Sequence, residues 1–274
     1  SDGYHLWSER YDRELDDIFA IQDAIARTIA HRLELTLAGP KGEALVTPPT
    51  ENLAAYQLYL KGRYFWNQRG RTGLTKGLEC FQEALSLDPT FAQAHAGVAD
   101  AYTLLAFYGF RPPKEVMPEA KAAAQRALAI DESLAEAHAS MGFIHLLYDW
   151  DWAAAERELK RAIALNPRYV LARYWYATLC VSLLRLDESV AVDKQAVELD
   201  PLSVFTNTHL GWMLLAAGRT ARAIEQLRKA IELEPRFPLA HWLLGCAHVS
   251  ESRYDDALPE LELAGAKSAR IGDT

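Results

Sequence analysis

Ala162-Ile-Ala-Leu-Asn-Pro167, Ala196-Val-Glu-Leu-Asp-Pro201 and Ala230-Ile-Glu-Leu-Glu-Pro235 are one phrase written three times, with the closing prolines at a constant spacing of 34 residues. Ala84-Leu-Ser-Leu-Asp-Pro89 is a further copy, and Ala127-Leu-Ala-Ile-Asp-Glu132 repeats it without the proline. A fixed period of this length is the mark of a repeat architecture, in which each unit buries its apolar face against its neighbours. Proline closes each unit because it cannot continue a helix and sets the turn into the next.

Outside the phrase the units agree as well. The third has Met141-Gly142, His145, Ala155, Leu159 and Ala162. The fifth has Leu210-Gly211, Leu214, Ala223, Leu227 and Ala230, and the sixth Leu244-Gly245, His248, Ala257, Leu261 and Ala264. Small residues let paired helices approach, and the large ones fill the space between them. With these residues the pattern resembles the tetratricopeptide repeat. That implies an all-α, right-handed superhelix of about six helix-turn-helix units over residues 52–274. The second unit is expected to carry an insertion over 107–116, and the first a shorter one around Arg69-Gly-Arg-Thr72. The last unit stops soon after Ala264 with no polar capping helix, so its end is expected to pack against something or to continue.

Residues 1–38 do not fit the repeat. Tyr4-His-Leu-Trp-Ser8 reads as a strand, and Ile18, Ile21, Ile25, Ile29, Leu33 and Leu37 form the stripe of an amphipathic helix. Residues 39–51, with Gly39-Pro-Lys-Gly42 and Pro48-Pro49, read as a linker. A lone strand leaves its backbone groups unpaired, which suggests pairing with another domain or a homodimer by edge pairing. Gly3-Tyr-His-Leu-Trp-Ser-Glu-Arg-Tyr-Asp12 and Asp17-Ile-Phe-Ala-Ile-Gln-Asp23 resemble the closing strand and helix of the TolB-like (FlgO-like) domain that precedes tetratricopeptide repeats in bacterial signalling proteins. The resemblance extends through Ala55-Tyr-Gln-Leu-Tyr-Leu-Lys-Gly62 and Tyr148-Asp-Trp-Asp-Trp152. It implies the sensor or interaction part of a regulator whose upstream portion is a CadC-type winged-helix domain or a class III adenylate cyclase, and it supplies no catalytic residues.

Composition narrows the function classes. Of 274 residues, 29 are basic and 37 acidic, a formal charge of -8 that disfavours nonspecific nucleic-acid binding. No apolar run is long enough to span a bilayer, and the first ten residues lack the apolar core of a signal peptide. An anchor upstream of Ser1 stays open. Cys80, Cys180 and Cys246 are far apart without a CxxC, which favours reduced thiols and a cytoplasmic setting.

No nucleotide, hydrolase or zinc-protease motif is present. No cofactor is expected. His138 with His145, and His241 with His248, are pairs seven apart on one helix, too far along the axis to share a metal, and read as core residues. Asp149 and Asp151 read as caps of a helix starting at Trp152. The basic and aromatic stretch from Lys61 to Lys76 reads as an exposed loop on the first unit, with single-stranded nucleic acid or an acidic partner as the alternatives.

The more specific site is the concave groove. By analogy with the resembled fold, the second, fifth, ninth and twelfth positions of each unit line it. They give Tyr56, Tyr59, Arg63 and Trp66, then Phe143 and Leu146, Leu171 and Tyr174, Phe205 and Trp212, and Leu239 and Trp242. Aromatic residues with arginine are what interface anchors are made of. The occupant is an external protein or peptide, the chain's own N-terminal helix, or a small hydrophobic ligand. Neither basic nor asparagine positions are arranged to clamp a terminal carboxylate, and Arg63 alone is no clamp. The expectation is a non-catalytic protein-interaction scaffold.

Overall fold

The computed structural model describes residues 49–271. The strand and helix expected over 1–38, and most of the linker over 39–51, lie outside the described residues. Within them the chain forms twelve α-helices and no strand. They are α1 (Leu53–Asn67), α2 (Arg71–Leu87), α3 (Ala92–Phe107), α4 (Pro113–Ile130), α5 (Ala135–Ile144), α6 (Trp152–Leu165), α7 (Val170–Ser182), α8 (Leu186–Leu199), α9 (Val204–Ala216), α10 (Thr220–Leu233), α11 (Pro238–Ser250) and α12 (Tyr254–Ile271). Consecutive helices pack as six antiparallel pairs stacked into a right-handed superhelix.

The repeated phrase explains the stacking. Its leading alanines, Ala84, Ala127, Ala162, Ala196 and Ala230, are all fully buried, because each lies where its helix crosses closest to a neighbour. Each carbonyl also accepts the N–H of the residue that ends the helix: Asp88, Asp131, Asn166, Asp200 and Glu234. Asp88, Asp131 and Asn166 then fold the turn by accepting the N–H two residues on, from Thr90, Ser133 and Arg168.

The glycines complete the fit within each pair. A Cβ at Gly211 would sit 2.6 Å from Leu227 Cγ, at Gly142 2.6 Å from Leu159 Cγ, and at Gly245 2.6 Å from Leu261 Cγ. Phe81 is wedged the same way between Gly62 and Gly97. Leu159, Leu227 and Phe81 are wholly buried, each contributing on the order of 1.5–3 kcal/mol of burial.

Every first helix ends on a left-handed residue: Arg69, Gly109, Trp150, Leu184, Gly218 and Ser252, with φ between 58° and 70°. Only two are glycine, so four units hold an L-residue in a conformation that costs it about 1–2 kcal/mol.

The expected insertions are absorbed differently. Arg69 turns the chain into α2 as its counterparts do, and the first unit's extra residues lengthen α1 and α2. In the second unit the extra length splits between longer helices and the loop 108–112. The third unit runs from Ala135 to Tyr169, one residue more than the next, and takes it up as a π-turn at His145–Asp149.

The principal contacts of α2, α4, α6, α8 and α10 are with their neighbours in sequence. The odd-numbered helices touch one another along the stack: α1 on α3, α3 on α5, and so on to α11. The odd helices are therefore crowded on the inner side, and that face is where a site would be.

Candidate functional site

The inner face begins with histidines and their equivalents. Six residues after each turn, the Nε2 of His95, His138 and His241 lies 3.0, 2.9 and 3.0 Å from the carbonyls of Pro89, Glu132 and Pro235. Asn207 donates to the Pro201 carbonyl in the same way. The opposite ring nitrogen faces a carboxylate on the partner helix, Glu158 for His138 and Glu260 for His241. These residues tie four of the six first helices to their turns. His145 pairs with Asp149, and His248 is buried. Among the described residues no three His, Cys, Asp or Glu side chains gather around a common point. Asp151 caps α6 by accepting the Ala154 N–H at 2.9 Å, but Asp149 does not cap. Its carboxylate meets Lys121 Nζ at 2.6 Å instead.

Beyond the ties, the odd helices close around a cavity of about 290 Å³. Seven of the twelve groove positions lie on its wall: Phe143, Leu171, Tyr174, Phe205, Trp212, Leu239 and Trp242. Two others, Arg63 and Trp66, line an adjoining cavity of about 470 Å³ together with Leu171, Tyr174 and Phe205. Tyr56, Tyr59 and Leu146 line neither. Tyr59 packs with its ring 5.8 Å from Phe81 and 5.2 Å from Phe91, Tyr56 stacks beside it, and Leu146 is buried in the main core.

Exposure also departs from the sequence reading. Trp66, Phe143, Leu171 and Tyr174 are buried, Tyr56, Tyr59, Arg63, Phe205, Trp212 and Leu239 are half-buried, and Trp242 at 49% is the open rim. The superhelix winds tightly enough for opposing rings to cover each other. Phe143 and Trp175 stack at 4.6 Å with planes 2° apart, Phe107 leans on Phe143 at 5.6 Å, and Tyr174 meets Phe205 edge-on at 5.1 Å.

Sequence reading missed the other wall residues: Arg69, Leu104, Phe107, Tyr108, Trp175, Thr178 and His209. Trp175 and His209 share the sixth position of their units, a signal available in the repeat. Arg69 had none, because it reaches the cavity from the turn after α1. Its guanidinium carbon lies 3.8 Å from the Trp66 ring centroid and 4.9 Å from that of Phe205 on α9.

Arg63 is already engaged, 3.4 Å from Asp100 and over the Trp66 ring. Asp100 is fully buried, and burial pushes its carboxyl up to about 6, against the pull of Arg63 and a hydrogen bond from Ser140. The other cations of the basic stretch disperse. Arg71 stacks on Phe110 and Lys76 on Phe65, on helices and not on a common loop.

His209 invites a catalytic reading. Its Nδ1 lies 2.5 Å from Asp193 Oδ2, and its Nε2 is 3.5 Å from Thr178 Oγ1. Carboxylate, imidazole and hydroxyl stand in the order of a nucleophilic triad. However, the Thr178 hydroxyl donates to the Tyr174 carbonyl at 2.8 Å, inside α7, where the surrounding N–H groups are spent on the helix. There is no free nucleophile and no donor pair for an oxyanion. Burial raises the thiols as well, Cys180 to about 11, away from reactive thiolate.

Residues 142–204 and 209–270 each match the sequence profile of the tetratricopeptide repeat. The repeats within these two stretches are tetratricopeptide repeats. The chain is 35% identical over 97 residues to a protein named putative adenylate cyclase 3 of Rhizobium meliloti (strain 1021), a match covering 35% of this chain and 16% of that protein. It is 21% identical over 199 residues to the transcriptional regulator HilA of Salmonella typhimurium, covering 73% of this chain and 35% of the regulator. The chain thus spans about a third or less of the curated relatives it matches. Among solved structures, a thermophilic tetratricopeptide-repeat protein of Thermus thermophilus superposes with a TM-score of 0.58 at 19% identity, over 72% of this chain and all of that one. That likeness concerns the fold. Tetratricopeptide-repeat proteins generally mediate protein–protein interactions, and no described helix is long and apolar enough to cross a membrane.

Proposed function

We propose that this chain is the non-catalytic, partner-binding module of a larger bacterial signalling or transcription-regulating protein, and that its concave face receives apolar anchors of another protein or peptide. One observation carries this reading: the inner face keeps an aromatic-walled cavity with an open rim at Trp242 and Trp212. A packed scaffold has no need to leave such surface unfilled, and rigid aromatics in a concave site are where interfaces concentrate affinity. The relatives support the regulatory setting, since one is named as a cyclase and another as a transcriptional regulator. The engagement of His209 with Asp193 and of the Thr178 hydroxyl with its own helix supports a role in binding over turnover.

The test is capture of partners by the purified chain and by Trp212→Ala with Trp242→Ala, the bound protein being identified from native cell extract and then titrated in purified form. The double variant should keep its helical circular dichroism and weaken the purified partner by about a hundredfold, roughly 2.7 kcal/mol. Equal affinity would remove the inner face as the binding surface.

A further inference from the structure

The cavity has a chemical asymmetry that apolar anchors alone do not use. Nearly all of its wall is aromatic or aliphatic, and Arg69 is the formal cation set into it. Among the described residues Arg69 makes no ion pair, and its guanidinium lies against two rings, Trp66 and Phe205. Stacking of that kind leaves the rim of N–H donors free. Those are the groups that grip a carboxylate in a two-pronged pair.

Two further facts converge on the same place. Arg69 occupies the left-handed turn position that two sister units give to exposed glycines, and its side chain nevertheless turns inward. The adjoining cavity, which Arg69 also lines, holds two buried donors without partners, Trp66 Nε1 and the Tyr169 hydroxyl. Asp200 and Glu234 line that cavity too, but neither forms an ion pair with Arg69. Burial depresses the Arg69 basicity, the cost of holding a cation among rings, and a bound anion would offset it.

We propose that this cavity binds a small hydrophobic carboxylate, an alkyl or aryl acid whose body lies against Phe143, Trp175, Phe205 and Trp212 and whose carboxylate meets Arg69. The volume of about 290 Å³ sits near the lower end of the roughly 300–1,000 Å³ of small-ligand sites, which suits a compact acid and excludes a folded segment. The proposal goes beyond partner capture and does not depend on it. Where both occur, the acid fills the depth that a partner's anchors would otherwise use, and so competes with them.

Calorimetric titration of the full chain with octanoate and phenylbutyrate, against octanol and phenylbutanol as neutral counterparts, tests it. Both acids should bind one-to-one and more tightly than their alcohols. Arg69→Gln should weaken the acids by about tenfold or more, roughly 1.4 kcal/mol, while moving the alcohols by less than about twofold. The proposal is overturned by acids that bind no better than alcohols, by equal weakening of both in Arg69→Gln, or by silence from all four probes. If Arg69→Gln fails to fold by circular dichroism, the acid-to-alcohol comparison on the native chain decides alone. Partner capture by the native chain is read separately, so either reading can fail without the other.

Discussion

The contact between Gly211 and Leu227 can be tested by a change of sign. Leu227 is fully buried, and a Cβ on Gly211 would overlap its Cγ and Cδ2 at 2.6 Å each. Gly211→Ala adds about 1–3 kcal/mol of overpacking and recovers about 1 kcal/mol of helix propensity, so it should be neutral to destabilising by about 2 kcal/mol. Leu227→Ala removes the overlapped atoms and should cost about 2–5 kcal/mol as a cavity opens. In that background Gly211→Ala meets no obstacle. It keeps the propensity gain and places a methyl in the cavity, so it should stabilise by about 1 kcal/mol. Urea unfolding followed by far-ultraviolet circular dichroism on the four proteins of the cycle gives the coupling, provided the denaturant slopes agree. Additivity within about 0.5 kcal/mol would refute the account of glycine as the socket for the partner helix's large residue.

Two further predictions concern single sites. Asp100 titrates near 6 in the fold against an ordinary value of 3.8. The folded state therefore binds the proton more tightly than the unfolded one, and stability falls as pH rises through that window. The total is on the order of 3 kcal/mol at most. Asp100→Asn should flatten denaturation midpoints measured between those two values, and an unchanged slope would assign the pH dependence elsewhere. Leu184 is 81% exposed with φ at 58°, so its side chain contributes little while its backbone is strained. Leu184→Gly should raise stability by about 1 kcal/mol in thermal unfolding, and a lowered midpoint would show that the turn is not under strain.

The repeat was legible in the sequence because period, phrase and small-large alternation all answer to local geometry. The alanine of the phrase has to be small wherever helices cross, and the Asp or Asn before the proline folds its own turn. Groove positions were legible in part, since a register counted along one helix places Phe143, Leu171, Phe205 and Trp242 on the inner face. Counting does not say how tightly the superhelix winds, which is why Trp66 and Leu146 are buried where the register had them exposed. The third unit shows the same boundary, since its single extra residue becomes a π-turn only because α5 and α6 must still pair.

The sequence alone thus determined the helical-repeat class and the identity of most ring-bearing wall residues, because each depends on neighbours within about one repeat. Tertiary structure decided what those residues do together. Contacts such as that of Arg69 over Phe205 bring together units that are far apart in the chain. Such contacts depend on the accumulated rotation of one pair on the next, a quantity no single unit encodes, and it is this rotation that turns a row of aromatics into a cavity holding one cation.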